Sequence, residues 1–243
     1  MSGAKVMVVV SGVISATQVG MLLLELLRPT MDEYLARNGQ ELAAHLSKAR
    51  PAAELLATEP LVSEDSVRAP DEKLVVGLSG EGANGANATV IQLEDLEEVG
   101  TRGPVYAPVG GSLVSRCEAL LYYRTFEWDP AYPKRLWQLS EDEAVKALEN
   151  CAGLKYIFVI RTVALFRGQL VPMTNSELSA YAKAEVHLFR LEPFEHLGAF
   201  LIEAESTRPG NPSSYSEGLL TDELRRALAR AGKQRIPNSE WRL

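Results

Sequence analysis

The chain has 243 residues, 46% of them hydrophobic and 23% charged, which is enough to bury a full core in one globular domain. Its formal net charge of −7 supplies no cationic field for phosphates, so nucleic acid is excluded as an expected partner. No low-complexity tract and no repeat of solenoid or propeller period is present.

Val6 to Leu24 (VMVVVSGVISATQVGMLLL) runs nineteen residues without a charge. At about 1.5 Å rise per residue this covers about 28 Å, close to the roughly 30 Å of a bilayer's hydrocarbon, and it predicts a single membrane-spanning helix. Residues 1–28 therefore read as a transmembrane signal anchor. No A-x-A-like cleavage site follows the run, and no nearby cysteine offers a lipidation site. Gly12, Ala16 and Gly20 repeat at four-residue spacing and share one helix face, flanked by Ser11, Ser15, Thr17 and Gln18. Such a face packs against a second membrane helix, from another protein or from a second copy of the chain. An apolar core helix of a soluble protein is the other reading of this run. Lys5 and the terminal amine precede the span, which favours a cytoplasmic N-terminus with the large domain outside.

Asp32 to Ala57 is expected to be helical, with Leu35, Leu42, Leu46, Leu55 and Leu56 as its apolar positions and with Gly39 and Pro51 dividing it. With the acidic segment Thr58–Lys73 it makes residues 29–72 a helical stalk and linker, and residues 73–243 the globular domain. That domain opens with a strand at Lys73–Leu78 and a second at Ala88–Leu93, joined as a hairpin by the glycine-rich loop Gly80–Asn87. The loop lacks the Gly-Lys-Ser/Thr that holds a phosphate, and a strand rather than a helix follows it. Gly100–Ser112 is a turn-rich connector.

Cys117 stands just before an apolar run, Glu118–Phe126, expected as a strand. Ser140 and Glu143 form a capping box that opens a helix with Ala144, Val145, Leu148 and Cys151 as its apolar stripe. Leu154–Thr162 follows as a strand apolar on both faces and hence central in its sheet. A right-handed strand–helix–strand crossover brings both cysteines to one sheet edge. A bridge there would contribute about 3–4 kcal/mol, and two buried free thiols are the alternative. Between them Trp128, Tyr132 and Trp137, interleaved with prolines and basic residues, form either an interaction surface or a cover over the sheet edge.

Tyr181–Leu191 and Leu197–Ser206 alternate in polarity and read as an antiparallel hairpin joined by Glu192–His196. The last helix, Glu217–Ala231, turns Leu220, Leu224, Ala227 and Leu228 to the sheet and keeps Arg225, Arg226 and Arg230 wet, with Gly232 as C-cap. The tail carries Trp241 and either docks or stays disordered. The strand Leu154–Thr162 (LKYIFVIRT), the hairpin end Gly198–Ser206 (GAFLIEAES) and the following loop and helix resemble uncharacterised bacterial cell-envelope proteins with a lipoprotein or signal-anchor N-terminus. At fold level this part is similar to curli-assembly and penicillin-binding-protein-activator lipoprotein domains. The resemblance implies an envelope location and brings no catalytic motif. The departure at the N-terminus, an anchor in place of a lipobox, implies attachment by a helix.

His45, His187 and His196 show no spacing that suits a metal or a triad, and no serine sits in a nucleophile elbow. Arg161, at the end of a buried strand, is expected to pair with Glu203 or Glu205. No catalytic residue, cofactor or metal ligand is therefore expected. The expectation is an α+β protein with a mixed sheet and helices packed on it, carried by a single span in a bacterial inner membrane with its domain in the periplasm. It would act as a non-enzymatic accessory or scaffold subunit, and the alternative is a ligand-binding or sensing domain with an apolar pocket beside Trp128, Tyr132 and Trp137.

Overall fold

The computed structural model describes residues 29–62, 65–78, 85–97, 117, 141–167, 178–208 and 217–242. The expected anchor with Gly12, Ala16 and Gly20, the run Glu118–Phe126 and the aromatic residues Trp128, Tyr132 and Trp137 lie outside them. Among the described residues no helix is long and apolar enough to cross a membrane.

Helix α1 spans Met31–Ser47 and α2 spans Arg50–Thr58. Thr30 caps α1 in a capping box: its hydroxyl accepts from the Glu33 N–H and the Glu33 carboxylate accepts from the Thr30 N–H, both at 3.2 Å. The chain breaks at Lys48–Ala49, and Pro51 falls in the first turn of α2, where its missing N–H has no helical partner to lose. Gly39 does not divide α1.

Strands β1 (Ser66–Val67), β2 (Leu74–Gly77) and β3 (Ala88–Gln92) follow, and β3 runs directly into the short helix α3 (Leu93–Glu97). After α4 (Glu141–Ala152) come β4 (Tyr156–Arg167), β5 (Leu178–Leu191) and β6 (Phe194–Arg208), then α5 (Glu217–Arg235) and β7 (Ser239–Arg242). The strands form one mixed seven-stranded sheet in the order β1-β6-β5-β4-β3-β2-β7. The β1-β6-β5-β4 side is antiparallel and the β4-β3-β2-β7 side is parallel.

Alternation along the strands divides the core in two. Ile157, Val159, Phe189 and Leu191 face α1, α2 and α4, whereas Phe158, Ile160, Val186, Leu188, Phe200 and Ile202 face Leu224, Ala227 and Leu228 of α5. The result is three layers, with helices on both sheet faces.

This arrangement corrects the expected stalk. Leu35, Leu42, Leu46 and Leu56 are buried in the same core as Ile157 and Leu148. Each buried leucine contributes about 1.5–3 kcal/mol that a free-standing helix would forgo. Residues 29–62 are therefore part of the globular body, and Ser66–Val67 of the supposed linker is its edge strand.

The first two strands of the domain are also not a hairpin, since β2 and β3 pair in parallel, Val76 with Ala88 and Gly77 with Thr89. Asn87 sets this start: its side-chain carbonyl accepts from the Val75 N–H at 2.8 Å and its amide donates to the Lys73 carbonyl at 3.0 Å. β3 then continues in parallel along β4, from Ala88 beside Tyr156 to Gln92 beside Ile160.

Gly232 lies inside α5, which continues to Arg235, rather than capping it. A side chain at Gly232 would collide with the Trp241 ring. The C-terminal tail is strand β7, beside β2, and its Trp241 packs on Phe158 at 5.0 Å between ring centroids.

Candidate functional site

On the face of the sheet beneath α2, five side chains from the end of α2 and from β4, β5 and β6 form one connected polar group. Arg161 of β4 stands directly opposite Glu185 of β5, and its Nε donates to Glu185 Oε2 at 2.6 Å. Its other nitrogens donate to the carbonyls of Leu56 at 2.8 Å, Glu59 at 2.9 Å and Pro60 at 3.1 Å, so one guanidinium closes the C-terminal end of α2. The expected partners Glu203 and Glu205 are wrong because they belong to β6, which β5 separates from β4. Glu203 pairs instead with Lys183, at 3.1 Å.

Glu185, with 1% of its side chain exposed, also accepts from the Val62 N–H at 2.5 Å. Burial would push its carboxyl up. The Val62 N–H and the Arg161 charge outweigh that and hold it below the ordinary carboxylate range.

His187 lies two residues along β5 on the same face, fully buried, with Nε2 3.4 Å from Glu185 Oε2. Its Nδ1 lies 3.2 Å from Nε2 of His196. The Nδ1 of His196 in turn lies 3.4 Å from Glu59 Oε1, and Glu59 Oε2 lies 3.9 Å from His187 Nδ1. Burial lowers the His187 pKa, with His196 and Arg161 acting in the same sense against the raising effect of Glu185, so the ring is neutral at neutral pH. Phe189 stacks on His196 at 4.6 Å and fixes its plane. Glu59, His187 and His196 each offer one metal-ligating atom, and the three atoms lie within 4.8 Å of one another.

The sequence reading missed this group because it assigned Glu192–His196 to the connection. The turn is only Glu192–Pro193, with Leu191 opposite Phe194, and this draws His196 into β6 opposite Phe189. A register shift follows, as Leu188 pairs with Gly198. His187 and His196 thereby become diagonal neighbours. Glu192-Pro193 is not one of the Asn-Gly, Asp-Gly or Gly-x pairs that mark a two-residue hairpin turn, so the local sequence carries no signal for it.

A second feature is a cleft of about 830 Å³ between α1, the end of α4 and the start of β4, lined among others by Tyr34, Asn38, His45, Lys155, Tyr156 and Arg190. Its lining is mixed, with the polar part the larger. His45 Nε2 donates to the Leu154 carbonyl at 2.7 Å, and Glu72 accepts from Lys155 at 2.8 Å and from the Tyr156 hydroxyl at 2.9 Å. Burial, followed by the hydrogen bond and charge of Glu72, pushes the Tyr156 phenol up to about 12. The folded chain thus keeps a proton that the unfolded chain releases near pH 10, so this contribution to stability is complete below pH 10 and lost as pH rises toward 12. The ultraviolet difference titration of wild type against Tyr156→Phe should show a midpoint near pH 12, moved toward 10 by Glu72→Gln. A wild-type midpoint at 10 would contradict this geometry.

Cys117, in helical conformation, and Cys151 of α4 form a disulfide with 6.1 Å between their Cα atoms. Both are fully buried in the core beneath α1 and α2.

The described fold is a disulfide-bonded, three-layer α+β domain with a partly buried Arg–Glu–His–His–Glu group. No protein-family profile and no curated protein matches the chain. A 1.65 Å structure of the hypothetical protein CT253 from Chlamydia trachomatis is similar over 67% of this chain and 96% of its own, at 11% identity and a TM-score of 0.27.

Proposed function

We propose that the protein is a non-enzymatic, membrane-anchored accessory or scaffold subunit of a bacterial envelope complex, held by Val6–Leu24 in the inner membrane with its α+β domain in the periplasm. The observation that carries this reading is the Cys117–Cys151 disulfide, because such bridges persist in oxidising compartments and are rare in a reducing cytosol. The uncharged run of anchor length and the resemblance of the region from Leu154 onward to envelope proteins support it from the sequence side. Since α1 packs into the core and does not stand as a stalk, the domain on this reading sits directly on the membrane surface. Partners are engaged by the Gly12, Ala16 and Gly20 face and by the segment carrying Trp128, Tyr132 and Trp137.

Extraction of the full-length chain in mild detergent, with partners identified in the eluate, tests the proposal. Stable partners that are lost in Gly12→Ile and Gly20→Ile variants are the expected result. A chain that elutes alone and from the soluble fraction would overturn it. The polar cleft at Tyr34, Lys155 and Arg190 favours a second reading, a domain that binds a small polar ligand. A chain that leaves the membrane alone and gains thermal stability from a solute would select this second reading.

The bridge also has a measurable energetic consequence. It closes a 34-residue separation, so Cys117→Ser or Cys151→Ser should lower the unfolding free energy by about 3–4 kcal/mol in denaturant titrations. Equal midpoints for oxidised and reduced wild type would contradict a bridge that constrains the unfolded chain.

A further inference from the structure

We propose that Glu59, His187 and His196 bind a divalent transition-metal cation of the Zn²⁺ type, which clamps the end of α2 to the β5–β6 hairpin. His187 turns Nε2 toward Glu185, itself fixed by Arg161, and His196 turns Nδ1 toward Glu59 Oε1. The Glu185 carboxylate holds the His187 N–H at Nε2, so His187 Nδ1 presents a lone pair, and His196 contacts Glu59 at ion-pair distance without a hydrogen bond that would hold its proton at Nδ1. His187 Nδ1 and His196 Nε2 face each other at 3.2 Å. The His187 Nδ1 lone pair takes either the proton of His196 Nε2 or, with His196 in its other tautomer, a metal ion shared by both nitrogens.

Glu59 decides between the two. Its Oε2 is buried without a hydrogen-bond partner and lies 3.9 Å from His187 Nδ1. A proton held between the nitrogens leaves that oxygen unsatisfied, whereas a cation takes it as a third ligand. The spacing fits as well. Two imidazole nitrogens at about 2.0–2.1 Å from a tetrahedral Zn²⁺ stand about 3.3 Å apart, against the 3.2 Å present here. Glu59 Oε2, at 3.9 Å from His187 Nδ1, stands about 0.6 Å beyond that edge length, and one ligand atom from each of the three residues lies within 4.8 Å of the others. Two imidazoles and a carboxylate suit a first-row cation such as Zn²⁺ better than Mg²⁺ or Ca²⁺, which prefer all-oxygen sets. The Arg161–Glu185 pair behind His187 supplies the outer support that metal-bound histidines typically have.

The test uses untagged full-length protein in mild detergent, stripped with a chelator and titrated calorimetrically with Zn²⁺, with Co²⁺ absorption as a report of coordination. One Zn²⁺ per chain is expected, with a rise in Tm of about 5–10 °C at a hundredfold excess over Kd. Glu59→Gln and His196→Asn should weaken binding by more than the roughly 10–100-fold typical of outer-shell changes. Glu185→Gln should fall within that range. His187 is left intact because it is fully buried, and Glu59→Gln decides alone should His196→Asn fail to fold. A folded wild type that binds no Zn²⁺, leaving a proton in the gap, would overturn the proposal. So would Zn²⁺ affinity unchanged in Glu59→Gln.

Discussion

Gly198→Ala should destabilise the protein by about 3 kcal/mol or more, lowering Tm by about 6–12 °C in a chain of this size. Gly198 lies where the hairpin register shifts, with φ at +112°, a region that side chains rarely adopt. It is also covered by β1, whose Val67 pairs with it. A methyl group there would collide with the Ser66 carbonyl oxygen, which is backbone and cannot rotate away. Backbone strain of about 1–3 kcal/mol and overpacking of similar size therefore act together. Relief requires β1 to leave the sheet, and β1 is followed by Arg68, whose N–H donates to the Leu197 carbonyl at 2.8 Å. Thermal unfolding of wild type and variant checks this, and a Tm within 2 °C of wild type would mean that β1 does not close over the hairpin.

Arg161→Met should cost about 3–5 kcal/mol, because it leaves the Glu185 carboxylate buried and without its cation. The side chains are 14% and 1% exposed, so solvent does little to screen the loss. The same change removes the donor that three carbonyls at the end of α2, those of Leu56, Glu59 and Pro60, accept from. Arg161→Lys keeps the charge without the planar fork and should fall between wild type and Arg161→Met. Adding Glu185→Leu to Arg161→Met should recover part of the loss by removing the orphaned charge. The pH dependence has a definite sign. Glu185 titrates lower when folded than when unfolded, so its stabilisation is present above the unfolded carboxylate value near pH 4.3 and disappears as pH falls through the folded one. Arg161→Met should accordingly flatten the acid limb of stability against pH. A destabilisation below about 1 kcal/mol in denaturant titrations would show that the pair is not closed in the folded chain.

The hairpin and the last helix were readable from the sequence because their patterns are local. Alternation in Tyr181–Leu191 and Leu197–Ser206 and the four-residue spacing of Leu224 and Leu228 survive in β5, β6 and α5. The Leu154–Thr162 strand was recognisable from apolar side chains on both faces, and as β4 it has the two core halves on either side. What failed was whatever depends on which elements become neighbours. An apolar stripe at Leu35, Leu42 and Leu46 says which face of α1 is buried and not against what, so a core helix was mistaken for a stalk. Parallel pairing of β2 with β3 is set by β4 and by the Asn87 amide, neither of which shows in the alternation of the strands themselves. The partner of Arg161 follows from strand order, which the local pattern does not encode. The histidine pair depends on turn length: a strand that starts at Phe194 rather than Leu197 brings His196 beside His187.

An envelope domain stapled by one bridge is put to the test by peptide mass spectrometry of the full-length protein taken from native membranes. Thiols are blocked at lysis and the digest is compared with and without reduction. A Cys117–Cys151 cross-linked peptide, sensitive to reductant, is expected in the inner-membrane fraction. Two alkylated free cysteines in protein recovered from the cytosol would contradict this reading.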